Sequence, residues 1–303
     1  MGLVVVDSDW LDEKLTAIAN CLRDQAGTSD RLHFPEDFLA MLGNGTIVKN
    51  NVVLTAEMVD NFNLIDSNGV ATIPSVYTYG NTEYHIVEIG KGAFSKRTNV
   101  TKAIISEGIK AIGAYGDDAS VYYGSSSPFY GCSNLQSVTI PNTVTTIGAY
   151  AFAHCSKLAQ IVIPDSVTTL HRGSFYGCSS LSEIQFSENL LELAPVLCNQ
   201  CAIRQVTIPS KVTTIRNEAF TNCTSLAKVT WNDCVTTIEY GAFNNCTSLQ
   251  TNIPSCVTSI VSGDGYGAAF NNVAKIYYDG TATGSPWGAK EVATRPILNT
   301  DPT

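Results

Sequence analysis

Ten cysteines and four histidines are the residues with the greatest capacity for chemistry in this chain of 303 residues. Cys132, Cys155, Cys178, Cys201, Cys223 and Cys246 stand 22 or 23 residues apart. The pair Cys198-x-x-Cys201 has the spacing of half a zinc site or of a redox motif. A structural zinc site needs a second such pair, and a redox pair stands at a helix start after a strand; the sequence offers neither. His33, His85, His154 and His171 are each isolated. His154 adjoins Cys155, yet a nucleophile and its base must converge in space and a third group must orient the base. There is no glycine-rich phosphate loop and no His-Glu-x-x-His, and the Asn-x-Thr matches at Asn222 and Asn245 read as by-products of the cysteine column. The expectation is therefore no enzymatic activity, no cofactor and no metal. Cys21, Cys234 and Cys256 fall outside the column and receive no role.

The elements that carry these cysteines follow from the same periodicity. Anchors at Phe94, Phe129, Phe152, Phe175, Leu197, Phe220, Phe243 and Phe270 are separated by 35, 23, 23, 22, 23, 23 and 27 residues. Leu135, Leu158, Leu181, Ile203, Leu226 and Leu249 keep the step. So do Ile140-Pro141, Ile163-Pro164, Phe186-Ser187, Ile208-Pro209, Trp231-Asn232 and Ile253-Pro254. Apolar alternation across Val138, Thr139 and Ile140 predicts a short strand, which proline ends by removing a ladder donor. The β-branched run Val144-Thr145-Thr146-Ile147 predicts a second extended segment. One coil of this kind cannot bury its own apolar residues, whereas stacked coils place like on like at about 4.8 Å. Truncating a central anchor such as Phe175 to Ala is then expected to cost about 3–5 kcal/mol.

This unit, A-F-x-x-C-x-x-L-x-x-V-x-I-P-x-x-V-T-T-I, resembles the BspA-like leucine-rich repeats of bacterial surface and secreted proteins over roughly residues 70–290. The resemblance implies a mainly β fold, a leucine-rich repeat solenoid of ~23-residue coils, to which the apolar periodicity before it adds a small helical N-terminal head. It places a concave parallel sheet near 135–140, 158–163, 181–186, 203–208, 226–231 and 249–253. It also assigns the cysteine column to a buried turn position, as free thiols. Two departures from the pattern, at Ser187–Cys201 and at Leu249–Ile253, are expected to bend the stack locally. The predicted organisation is an acidic head over 1–69 with a helix at about 8–26, a hairpin cap over 70–94, the solenoid over 95–275, and a C-terminal cap and tail over 276–303. A second short helix is expected over about 35–42.

Two insertions leave the coil at one corner. The first, Tyr115 to Ser127, carries Asp117, Asp118, Tyr122 and Tyr123; the second, Val261 to Gly267, carries Asp264 and Tyr266. Solenoid insertions often lie on a binding face, and Tyr with Asp, Ser and Gly suits recognition; a tolerated surface loop is the plainer reading. On the predicted sheet, Lys102, Ser137, Gln160, Glu183, Gln205 and Lys228 point outward in one column. Thr139, Gln185, Thr207 and Thr230 form another. That polar face suits either a hydrogen-bonding partner or plain solvation.

The net charge of −9 argues against a nucleic-acid partner, since affinity for phosphates needs a Lys and Arg face and the sequence shows none. Residues 1–70 hold four Lys and Arg against eleven Asp and Glu, so most of that charge lies in the head. No apolar run reaches a membrane span, and Met1 to Asp7 lacks the features of a secretory signal. The helix from Ser8 or Asp9, with Trp10, Leu11, Leu15, Ile18, Ala19 and Leu22 on one face, serves either oligomerisation or docking, or folds onto the solenoid as a cap. The stretch Asp9 to Asn20, and Tyr277-Tyr278-Asp279-Gly280-Thr281-Ala282, also resemble segments of prophage tail-associated proteins. Two functions follow as expectations. The resemblance implies a surface or secreted adhesion module that binds a host or matrix protein or a glycan, with no nucleic-acid partner. The alternative is a phage or prophage tail component.

Overall fold

The computed structural model describes residues 47–113, 127–263, 267–278, 280–283, 287–290 and 292–293. The helices expected at 8–26 and 35–42 lie outside them.

A single coil shows how the repeat folds. In the turn that begins at Phe152, residues two before and two after the anchor, Tyr150 and His154, adopt left-handed backbone with φ of 54° and 59°. This pair of kinks folds the chain tightly around the ring. Cys155 N–H donates to the Phe152 carbonyl and Leu158 N–H to that of Cys155, at 3.2 and 3.0 Å. The strand Gln160–Val162 follows. Val167 N–H then closes a turn on the Pro164 carbonyl at 2.9 Å, and the strand Thr169–Leu170 completes the circuit. Phe152, Cys155, Leu158, Ile161, Ile163, Val167 and Leu170 all point inward and are buried.

The left-handed kink after the anchor recurs in every described coil, at Lys96, Gly131, His154, Gly177, Gln200, Asn222, Asn245 and Asn272. Asparagine tolerates this backbone and most other side chains resist it. Asn222 and Asn245 are thus turn residues, which explains the Asn-x-Thr coincidence. Their amides also tie coils together: Asn245 Nδ2 donates to Asn222 Oδ1 at 2.9 Å, and Asn272 Nδ2 to Asn245 Oδ1 at 2.7 Å.

Stacking is parallel and in register. Gln160 pairs with Glu183 and Gln205 with Lys228 on one side, while Thr146 pairs with Thr169 and Thr214 with Thr237 on the other. At the anchors, Phe152 N–H donates to the Ser174 carbonyl and Phe220 N–H to the Ala242 carbonyl, at 2.9 and 2.8 Å. The rings form a column: Phe94 on Phe129 at 4.9 Å, Phe129 on Phe152 at 5.2 Å, and Phe152 on Phe175 at 5.7 Å. It resumes with Phe220, Phe243 and Phe270 at 5.4 and 5.3 Å.

The gap in that column corrects the sequence reading. Leu197 is not the anchor of its coil; Cys198 is. Val196 and Gln200 carry the flanking positive φ values of 59° and 65°. Cys198 N–H donates to the Ala219 carbonyl, as a phenylalanine would. Leu197 fills the preceding position, held elsewhere by Ala151, Ser174, Ala219 and Ala242. A large residue has moved to the small site and a small one to the large site, so the volume of the layer is roughly kept. The missing residue lies after Cys201, which is followed by Ile203 where other coils leave a gap of three.

The second sheet is interrupted one coil earlier: it runs unbroken from Ile47–Leu54 to Thr169–Leu170 and restarts at Glu192–Leu193, in the coil that begins at Phe175. Across the break, Asp165 stands in for the ladder, its Oδ1 accepting from Glu188 N–H at 2.9 Å and its carbonyl from Asn189 Nδ2 at 2.7 Å.

Both described ends are closed by side chains of the chain itself. The strand Ile47–Leu54 pairs parallel with Thr82–Ile89, which also forms an antiparallel hairpin with Val76–Tyr79. The helix Ala56–Asn61, capped by Thr55 Oγ1, is held to the next coil by Arg97, whose Nη1 and Nη2 reach the Asp60 carboxylate at 2.6 and 2.8 Å. Leu54, Val59, Phe62 and Leu64 join the solenoid core. At the other end, Lys275–Tyr277 extends the first sheet beside Gln250–Asn252. Trp287 is buried, packs edge-on against Tyr278 at 5.4 Å, and accepts Phe270 N–H at its carbonyl at 2.9 Å.

Candidate binding surface

The six column cysteines face inward. Each thiol reaches the anchor carbonyl of the preceding coil: Cys155 Sγ donates to Phe129 O at 3.2 Å, Cys178 to Phe152 O at 3.1 Å and Cys223 to Cys198 O at 3.1 Å. Burial pushes these thiols up, to about 12 at Cys132 and Cys246, which keeps them protonated and unreactive. His154 turns the other way. Its ring lies outside, edge-on to Tyr130 at 5.3 Å and to Tyr176 at 5.1 Å, so the sequence neighbours His154 and Cys155 point to opposite sides of the wall. Desolvation lowers the His154 pKa and favours the neutral ring near neutral pH. Among the described residues no group of three or more His, Cys, Asp or Glu is placed to hold a metal ion, and no helix is long and apolar enough to cross a membrane.

The outward face of the first sheet is built by strand alternation. Ile161, Ile184, Val206 and Val229 point in and are buried, so their neighbours must point out. Gln160, Glu183, Gln205 and Lys228 are exposed in one column, and Gln185, Thr207 and Thr230 in the next. Register fixes their adjacency, with Gln160 opposite Glu183, Val162 opposite Gln185, and Gln205 opposite Lys228. Lys102 opposite Ser137 continues the first column at one end, and Gln250 opposite Lys275 at the other. The sheet is hydrogen-bonded in blocks, which divide between Ser137–Thr139 and Gln160–Val162, between Glu183–Gln185 and Gln205–Thr207, and between Lys228–Thr230 and Gln250–Asn252. At the first division Val162, 59% exposed, opens into a shallow depression with Val138, Thr139, Asp165 and Gln185. The face thus offers amides and hydroxyls in fixed rows, one apolar patch, and a carboxylate and an ammonium two coils apart.

Asp117, Asp118, Tyr122, Tyr123, Asp264 and Tyr266 lie outside the described residues; their stems are described. Both insertions leave just after a second-sheet isoleucine, Ile112 or Ile260, whose strands are joined to the neighbouring coils in register. Six coil steps separate these two positions, roughly 29 Å at the inter-strand spacing. The two stems stand at the same corner of their coils, towards opposite ends of the stack.

A second outward surface was missed in the sequence. Tyr130, Tyr150, His154 and Tyr176 come from three successive coils and form edge-on ring pairs on the anchor side. Arg172 Nε donates to the Tyr150 hydroxyl at 3.3 Å and Gln200 Nε2 to that of Tyr176 at 3.2 Å. The available signal was the set of positions next to the anchors, where alanine, glycine and asparagine alternate with aromatic residues.

A stack of parallel coils, with buried like-on-like columns and freely varying outer residues, is the architecture of a leucine-rich repeat scaffold. The chain belongs to the BspA-type leucine-rich repeat family: the model of the BspA type leucine-rich repeat region matches residues 56–116, 119–227 and 192–277, in six copies. Among solved structures it is similar to a leucine-rich repeat protein from Bacteroides ovatus, at 22% identity over 75% of this chain and 69% of that one, with a TM-score of 0.52. It is also similar to the T. pallidum leucine-rich repeat protein, at 21% identity over 61% and 79% of the two chains, with a TM-score of 0.49. A leucine-rich repeat protein from Eubacterium ventriosum matches at 23% identity over 78% and 67%, with a TM-score of 0.41. No curated protein matches the chain.

Proposed function

We propose that this protein is a non-enzymatic recognition module that binds a host or matrix protein, or a glycan, through the outward face of its first sheet. The observation that carries the reading is the set of exposed residues Gln160, Glu183, Gln185, Gln205 and Lys228, held in register within two hydrogen-bonded strand pairs of one face. Rigid presentation lowers the ordering cost of binding, and amide and hydroxyl rows suit hydrogen-bond readout. Membership of a family related to surface and adhesion-type proteins agrees with it. The corner loops with Tyr122, Tyr123 and Tyr266 extend the surface, and the N-terminal segment supplies docking or oligomerisation. The alternative is a phage or prophage tail component; in this chain Tyr277 belongs to the first sheet and Tyr278 packs into the core.

The test is binding of the full chain to a panel of purified matrix proteins and defined glycans by surface plasmon resonance. A variant with Gln160, Glu183, Gln185, Gln205 and Lys228 all changed to Ala is compared with one carrying Tyr122, Tyr123 and Tyr266 changed to Ala. Loss of at least tenfold in affinity with the first variant, at unchanged melting temperature, is the expected result. Undiminished binding by that variant would reject the sheet face, and undiminished binding by the second would reject the loops.

A further inference from the structure

We propose that Cys234 and Cys256 form a paired thiol site on the solenoid rim, which closes into an inter-coil disulfide by exchange with a small disulfide such as oxidised glutathione. Seven of the nine cysteines among the described residues are buried, whereas Cys234 is exposed and Cys256 is half-buried. The two are exactly one coil apart in register. Thr237 pairs with Ser259 and Ile238 with Ile260, and Thr258 N–H donates to the Thr236 carbonyl at 3.0 Å; the same offset carries Cys234 onto Cys256. Residues so related lie about 4.8 Å apart, inside the Cα range of about 4.4–6.8 Å that a disulfide spans.

Parallel side-chain directions hinder bridging within a strand, and here the two thiols leave different turns. Val257 N–H closes its turn on the Pro254 carbonyl at 3.1 Å, as its equivalents do in other coils. The coil of Cys234 has no such proline. There Asn232 Oδ1 accepts from both Cys234 N–H and Val235 N–H at 2.9 Å, so a side chain replaces the backbone acceptor. The unequal exposure of the two cysteines agrees with unequal direction. The site also stands where a clamp has a purpose, since the first sheet is divided between Lys228–Thr230 and Gln250–Asn252, the strands of these same two coils.

The exchange balances simply. One protein thiolate attacks oxidised glutathione, releasing one glutathione and leaving a mixed disulfide; the second thiolate displaces the other glutathione. Two protein thiols are oxidised and one small disulfide is reduced to two thiols.

The experiment uses the full chain and its Cys21→Ser form, each incubated with oxidised glutathione, quenched with acid and weighed by mass spectrometry. Unreduced digestion after aromatic residues cuts at Tyr240 and Phe243, between the two thiols. The expected result is loss of two hydrogens without retained glutathione, and a linked peptide pair containing Cys234 and Cys256. The Cys21→Ser/Cys256→Ser chain should instead keep one glutathione on Cys234. The bridged form should melt no lower than the reduced form. Glutathione retained on both thiols, no reaction at either, a bridge elsewhere in the solenoid, or a lowered melting temperature would each overturn the proposal.

Discussion

Truncation of Phe152 to Ala tests the stacked column at its most sensitive point. Phe152 is fully buried, with Phe129 at 5.2 Å on one face and Phe175 at 5.7 Å on the other, its ring nearly parallel to both. Loss of the ring forfeits about 2–3 kcal/mol of transfer free energy, and the unfilled space adds about 1–2 kcal/mol, for about 3–5 kcal/mol in all. Phe175 is equally buried, but the next coil offers it Cys198 in place of a ring. Phe175→Ala breaks one stacked pair where Phe152→Ala breaks two. Each such pair contributes about 0.5–1.5 kcal/mol beyond burial, so Phe152→Ala should be the more destabilising by that amount. Urea titrations give the two values. Hydrogen exchange locates them, because a stack of nearest-neighbour contacts should lose protection first at Phe129 and Phe152 N–H, which donate to Ala151 and Ser174, and least at Phe243 N–H. Equal costs for the two variants, or protection lost evenly along the stack, would refute the stacked ring column as a source of nearest-neighbour stability.

Two further outcomes follow from buried polar groups. Thr251 takes an inward sheet position that the neighbouring coils give to Val229 and Ile276, and its hydroxyl accepts from Trp231 Nε1 at 2.8 Å. Trp231→Phe should therefore cost about 1–3 kcal/mol in urea melts, and clearly less in a Thr251→Val background, where no hydroxyl is left unpaired. Burial raises the Cys132 and Cys246 thiols from 9.0 to about 12, so each stabilises the folded state fully below about pH 9 and loses that contribution as pH rises towards 12. The fall approaches about 1.4 kcal/mol per pH unit for each thiol. Urea titrations at a series of alkaline pH values should show a shallower decline for Cys246→Ala, and an unchanged slope would contradict burial of that thiol.

The buried columns were legible because stacking allows each inward position few substitutes, so the same residue returns with the period. Legibility failed where two neighbours exchanged volume. With Leu197 before Cys198, the anchor spacings alone allow 22 then 23 or 23 then 22; the offset to the cysteine column decides, because Phe129, Phe152, Phe175, Phe220 and Phe243 each stand three residues before their cysteine as Cys198 does before Cys201, and the kinked residues Val196 and Gln200 agree. Those kinks are visible in sequence only where glycine or asparagine occupies them; Lys96, His154 and Gln200 conceal the same backbone. The outward residues obey a different rule. Strand alternation predicted which ones leave the wall, and the structure exposes Gln160, Glu183, Gln185, Gln205 and Lys228 accordingly. Nothing in the period predicts which outward residues meet, since Tyr130, His154 and Tyr176 occupy two different positions in three coils and touch only because the coils stack. The same physics that makes the fold easy to read makes its outer surface hard to read: packing constrains the inner columns to repeat, and leaves the outer ones free to differ.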